Sequence, residues 1–380
     1  MEARQRKEQG PKVGISQGDH NGIGYEVILK TFSDKRMFDL STNILYGSQG
    51  IANFYIKKLN IPHVNVHLTK DINKLNNKKL NIISISEENL KIEPGKSTQT
   101  AGEYSLKSIE AAVADLKKRK INILVTAPIN KENIHSDNFQ FAGHTDYLAK
   151  VFKARDYLML MVKGNLRIGV ITGHIPLKDV AKSIQPELIK EKIDVLHHSL
   201  EYDFAIRKPK IAILGLNPHA SDNGIIGEEE NEIIIPSIKQ AQEKGKLVYG
   251  PFPADGFFAS ENYKNFDGIL AMYHDQGLIP FKTLAFKEGV NFTAGLPIVR
   301  TSPAHGTAYD ITGKGLASPD SFRQAVYLGI DIYKNRLLYE EINKKPLASA
   351  LKKINQRTSR DEDAKNLPDE KDDKDSGIAY

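Results

Sequence analysis

Three histidines stand where chemistry is easiest to organise. His174 in RIGVITGHI, His219 in IAILGLNPHA and His274 in GILAMYHDQG each close an apolar run that reads as a β-strand. In open α/β sheets, ligands collect outside the carboxyl ends of the strands. Neutral imidazoles placed there suit zinc, cobalt, nickel or ferrous iron and leave coordination positions for substrate oxygens, whereas magnesium takes more carboxylates. His63, His67, His197 and His198 lack this placement and read as surface residues. The chain has no cysteine, so disulfides, zinc ribbons and thiol nucleophiles are excluded, and any metal must rest on His, Asp or Glu.

A second polar group follows downstream: Lys282 in LIPFK, Asn291 in GVNFTAG and Arg300 in LPIVRTS, each embedded in an apolar segment. Arginine grips oxyanions bidentately and lysine acts as a point charge, so the pair suits a small substrate carrying phosphate and carboxylate. Two glycine-rich stretches invite a nucleotide reading and fail it. In SQGDHNGIGYEV, Gly18, Gly22 and Gly24 do not fit G-x-G-x-x-G, and no acid ends the following strand, so a tight strand-to-helix turn is expected. In EPGKST, the first glycine of a phosphate loop is replaced by Leu90, which excludes an ATPase.

The elements that must position these groups are those of an α/β protein. Short apolar runs, KVGIS from Lys12 to Ser16, TNILYG, LNIISIS, INILVTAP, LRIGVIT, KIAILGLN and GILAMYH, alternate with amphipathic stretches, and several are apolar throughout as strands buried on both faces should be. The spacing of Leu106, Ile109, Val113 and Leu116 predicts a helix lying on a sheet, and Ser318 and Pro319 open a long closing helix. The predicted fold is two α/β/α domains with mostly parallel sheets and a cleft between them. No Gly/Ser/Pro linker divides the body. The expected seams, near Pro128 and Arg300, give a first domain of 1–128 plus 300–355 on the nucleotide side and a second of 129–299 on the metal, substrate and dimer side. Residues 356–380, rich in both charge signs, are expected to form a disordered tail.

A chain of 380 residues, 40% hydrophobic and 26% charged, can bury two such cores. The net charge of +6 comes from scattered lysines without interleaved aromatics, which points to anionic small molecules rather than nucleic acid. MEARQRKEQG has no apolar region after its charges, and no later run has the length to span a bilayer, so a cytoplasmic protein without membrane association is expected.

Taken together, TAPINK (Thr126 to Lys131), GHTDYLA (Gly143 to Ala149), NPHA (Asn217 to Ala220), PADGFF around Asp255, AMYHDQGL followed by Lys282, and GLPIVRTSPAHGTAYDITGKG resemble the 4-hydroxythreonine-4-phosphate dehydrogenase (PdxA) family. The match runs in order from about Lys12 to about Lys334. Its last segment is also similar to the nucleotide loop of isocitrate and isopropylmalate dehydrogenases, whose fold the family is understood to share. The resemblance implies that His174, His219 and His274 ligate one divalent metal, zinc, cobalt or magnesium, and that His144 and Thr145 touch substrate with Lys282, Asn291 and Arg300. It implies NAD or NADP along Gly295 to Gly313, at Gly295, Leu296, Pro297, His305, Gly306, Thr307 and Asp310, and a homodimer with a shared active site. Asp255, Asp275 and Lys282 are the candidates to orient ligands or carry the proton.

The implied reaction is oxidation and decarboxylation of 4-phosphohydroxy-L-threonine to 3-amino-2-oxopropyl phosphate, in pyridoxal 5'-phosphate synthesis. Two departures stand out. Asp19, His20 and Asn21 occupy the place of a Glu-Pro-Ala sequence, and SDNGIIGEEE lacks the histidine many members carry after NPHA. The rival expectations are a 4-phospho-D-threonate or 4-phospho-D-erythronate dehydrogenase, a metal-dependent hydrolase, and a metal-binding protein without activity.

Overall fold

The computed structural model describes residues 10–85, 90–135, 141 and 143–344, so the charged tail expected at 356–380 lies outside them. Twelve strands form one sheet: β1 (Lys12–Ser16), β2 (Thr42–Gly47), β3 (Val66–Thr69), β4 (Leu80–Ser84), β5 (Ile123–Thr126), β6 (Leu158–Lys163), β7 (Leu166–Thr172), β8 (Lys210–Leu214), β9 (Leu247–Phe252), β10 (Gly268–Tyr273), β11 (Val290–Ala294) and β12 (Val299–Pro303). Their order is β3-β4-β2-β1-β5-β12-β11-β6-β7-β10-β8-β9. The α/β class and the mostly parallel sheet are as the apolar runs predict. All seven expected strands form, and β2 and β5 are buried at every residue.

Two strands break the parallel rule. β11 pairs antiparallel with both β12 and β6, and β6 pairs antiparallel with β7 across a tight connection in which Gly164 takes a φ of +53°. Strands of residues 129–299 occupy one end of the sheet, and β1–β5 with β12 the other. Residues up to Asn335 form one compact unit, and a second begins at Arg336. Among the described residues, no helix is long and apolar enough to cross a membrane.

The helices include α1 (Gly24–Phe32), α2 (Gln99–Lys117), α3 (His144–Val151), α4 (Pro186–Tyr202), α5 (His274–Ala285) and α6 (Asp320–Asn343), of which α3, α4 and α5 contribute residues to the candidate site. Helix α2 starts at Thr98, whose side chain accepts the N–H of Ala101, and it buries Ile109, Ala112, Val113 and Leu116 at helical spacing. One turn in, a Cβ on Gly102 would lie 1.8 Å from the carbonyl oxygen of Asn133. That approach presses the segment after β5 against the helix.

Candidate active site

The carboxyl ends of β5 and β12 from one half of the sheet, and of β7 and β10 from the other, border a single cavity of about 560 Å³. Among the described residues its wall carries four cations, Lys131, Lys192, Lys282 and Arg300, against one carboxylate, Asp146. The first residues of α3, Gly143 to Asp146, also line it, and a helix N-terminus favours anions.

Arg300, on β12, is 3% exposed. Its Nη2 and Nε donate to Thr126 Oγ1 at 2.7 and 3.1 Å, and Nη1 to Thr293 Oγ1 at 3.3 Å. No carboxylate pairs with it among the described residues, and burial alone lowers its pKa to about 10. A buried, uncompensated guanidinium is costly and gains most from an anion. His144 is buried beside it. Burial, then the charges of Arg300 and Lys131, hold the imidazole well below its usual pKa, and Nε2 has no hydrogen-bond partner among the described residues. Asn291 Oδ1 and His305 Nε2 are likewise buried and unpartnered, and both residues line the cavity. Buried polar atoms are normally satisfied, so three orphans around one cavity mark a place where a polar ligand completes the hydrogen bonding.

The rings of His174 and His274 lie side by side, with centroids 5.4 Å apart and planes tilted by 45°. His274 Nδ1 lies 2.7 Å from Asp275 Oδ1; the carboxylate can only accept, so Nδ1 carries a proton and Nε2 is the ring nitrogen turned away from the carboxylate. His174 is pushed below its usual pKa by burial first, then by Lys131 and His274, and so stays neutral. These two imidazoles fit half of a nitrogen-ligated metal site. His219 does not join them: it is exposed, in a turn where residues 219–223 all have positive φ, and it is not part of the cavity wall. Among the described residues, no group of three His, Asp or Glu side chains is placed to hold a metal. One chain by itself brings two of the three expected ligands together and leaves the third apart, and a site shared between two copies, as the family resemblance implies, would need the third from the second copy. The physical reason is local. Buried Glu230 accepts the N–H groups of Leu216 and Asn217 at 2.8 and 2.7 Å and fixes the turn after β8 in its own direction.

All five expected substrate residues, His144, Thr145, Lys282, Asn291 and Arg300, line the cavity. Of the expected proton carriers, only Lys282 does. Asp255 is exposed in the first turn of a separate short helix, and Asp275 turns to His274. The expected nucleotide segment divides in the same way. His305 and Gly306 line the cavity, but Leu296 is buried in the core with Leu148, and Gly295 approaches Asp156 too closely to carry a side chain. Pro297, Thr307 and Asp310 lie outside the wall; the carbonyl of Thr307 instead accepts the N–H of Ile23 at 2.9 Å.

The wall also holds Thr126, Lys131, Asp146, Tyr157 and Lys192, which were not expected there. Thr126, Lys131 and Asp146 sit inside the quoted motifs TAPINK and GHTDYLA, so their signal was present. Lys192 looks like any surface lysine of an amphipathic helix. Only the fold brings it over Tyr157, where it donates to the carbonyl oxygen at 2.9 Å.

A family model described as "Pyridoxal phosphate biosynthetic protein PdxA" matches residues 39–329. A 4-hydroxythreonine-4-phosphate dehydrogenase of Bacteroides thetaiotaomicron is 50% identical over 326 residues, 86% of this chain and 89% of that protein. A D-threonate 4-phosphate dehydrogenase of Cupriavidus necator is 35% identical over 328 residues, covering 86% and 98% of the two chains. Among solved structures, a 4-hydroxythreonine-4-phosphate dehydrogenase from Klebsiella pneumoniae gives a TM-score of 0.74 at 32% identity and covers 85% of this chain and 98% of its own.

Proposed function

The chain belongs to the pyridoxal phosphate biosynthetic protein PdxA family, and from that membership we propose that it oxidises 4-phosphohydroxy-L-threonine with NAD or NADP, in the cytoplasm, as a step in pyridoxal 5'-phosphate synthesis. The observation that carries the reading is Arg300: a buried cation without a carboxylate, beside unpartnered His144 and Asn291, in a wall of four cations and one acid.

In this reading Arg300 takes an anionic group of the substrate bidentately, with His144, Thr145 and Asn291 completing its shell and Lys282 matching the second anion. Asp146, held by a 2.7 Å bond from Tyr157, supplies the counter-charge for the ammonium of an amino acid. His305 and Gly306, which line the cavity, would hold the nicotinamide, the hydride acceptor of the reaction. The substrate hydroxyl loses its proton and the carbinol carbon loses hydride to nicotinamide; the 3-keto acid then releases carbon dioxide, and a proton returns to carbon, leaving 3-amino-2-oxopropyl phosphate. Lys282, the proton carrier that lines the cavity, exchanges that proton. A divalent metal (zinc, cobalt or magnesium) held by His174 and His274, with His219 from a second copy in a homodimer, would supply Lewis-acid polarisation of the substrate oxygens. Asp275 fixes the tautomer of His274 for that role.

The assay is direct. Purified, metal-supplemented protein is given NAD and, separately, 4-phosphohydroxy-L-threonine, 4-phospho-D-threonate and 4-phospho-D-erythronate, and NADH absorbance is followed. Reduction with the amino acid supports the proposal. Reduction only with the sugar acids assigns the second reading, which the relative from Cupriavidus necator favours; no reduction with NAD or NADP ends the dehydrogenase assignment.

A further inference from the structure

We infer that Asp19, which does not line the cavity, is a positioning residue that holds two of its walls in register. Its kinetic consequence rests on the dehydrogenase reading; its structural consequence does not. Asp19 is fully buried at the turn after β1. Its carboxylate accepts from Tyr309 Oη at 2.6 Å, Asn133 Nδ2 at 2.8 Å and the N–H of Asn21 at 2.8 Å, and no cation bonds to it among the described residues. A buried carboxylate with neutral donors is an expensive group to keep, and each donor it holds is tied firmly in return.

Those donors belong to different walls. Asn133 follows the segment Pro128 to Lys131, which lines the cavity, and the Asp19 N–H donates to the carbonyl of Pro128 itself at 2.9 Å. Tyr309 follows His305 and Gly306, which also line the cavity. The backbone between them is under constraint: Ala308 holds φ 42° and ψ 58°, a left-handed conformation that alanine rarely adopts. It persists because both neighbours are anchored, Thr307 through the N–H of Ile23 and Tyr309 through Asp19. The contact at Gly22 is equally close, since a Cβ there would lie 2.8 Å from the Thr307 oxygen. Burial, then Asp19, raises the Tyr309 hydroxyl to about 12, so it stays the donor across the working pH range. The glycine-rich turn that fits no nucleotide fingerprint therefore acts one step back from the ligand, as the clasp of the loop that meets it.

The test uses the full-length protein with Asp19→Asn, Tyr309→Phe, the double variant and Asp19→Glu. Hydrogen–deuterium exchange should accelerate by about tenfold or more in residues 304–313 and 128–135 while β10 keeps its wild-type rate, because local opening is uncoupled from global stability. In steady state, KM for the dinucleotide should rise about tenfold with kcat within about twofold, the pattern of lost binding geometry, and the double variant should add little to either single one. Asp19→Glu should recover part of both effects. Wild-type exchange in both segments, uniform acceleration along the chain, or a fall in kcat at constant KM would overturn the inference. If the wild-type protein reduces no dinucleotide, the dehydrogenase reading fails while the exchange data still decide the role of Asp19. Should Asp19→Asn fail to fold, Tyr309→Phe removes one hydroxyl and carries the test.

Discussion

The guanidinium of Arg300 rests on the hydroxyl of Thr126, with Nη2 to Oγ1 at 2.7 Å, where a structural arginine would meet a carboxylate. A hydroxyl satisfies donors and leaves the charge uncompensated. The consequence separates stability from activity.

Arg300→Met should leave the melting temperature unchanged or raise it, because an apolar residue of similar volume removes a buried unpaired charge. Its kcat/KM for the phosphorylated substrate should fall by about a hundredfold or more, or about 3 kcal/mol of transition-state binding. Thermal melts beside steady-state kinetics check this; a stable variant with full activity would remove Arg300 from the site.

The shared site can be tested by complementation. His174→Ala and His219→Ala should each be inactive. Mixed and reassociated in equal amounts, they should recover about a quarter of wild-type activity, since half the dimers are mixed and each has one intact site. Titration calorimetry with zinc should show the same partial recovery of binding. If both ligands came from one chain, mixing would recover nothing.

Acid should destabilise the fold earlier than carboxylate protonation would. Burial lowers His144 and His20 below the ordinary value of 6.5, so they bind protons more weakly folded than unfolded. Their stabilising contribution is complete above the unfolded pKa and is lost as pH falls below it, at up to about 1.4 kcal/mol per pH unit for each. Denaturant melts at about pH 7.5 and about pH 5.5 should differ accordingly, and His20→Asn should flatten the difference.

Gly102→Ala, which stabilises an ordinary helix interior by about 0.5–1 kcal/mol, should here cost about 1–3 kcal/mol, because its Cβ meets the Asn133 carbonyl. A rise in melting temperature would show that the segment after β5 moves aside without cost.

Much of this molecule was legible in its residues. Strands buried on both faces are dominated by apolar residues, so β1, β2, β5, β7, β8 and β10 announce themselves without a partner in view. The same holds for Arg300, Lys282 and Asn291, polar groups that interrupt apolar strands or helices and so invite a reason. The antiparallel β6 and β11 were not legible, because apolar content marks burial and says nothing of direction; pairing is settled only when neighbours in the sheet are known.

The ligand set divided along the same line. His174 and His274 close adjacent strands, so strand order brings their rings together, whereas the turn after β8 leads His219 away through its bonds to Glu230, a contact between residues 13 and 14 positions apart that no local pattern encodes. Asp19 is the sharpest case. Its neighbours in sequence showed a turn, but its partner Tyr309 lies 290 residues away, and only the folded chain decides that the turn clasps the loop beside the cavity. Residue types and spacing determine which groups are available and which segments must be buried, because those depend on local chemistry and solvation; which of them meet is decided by long-range packing.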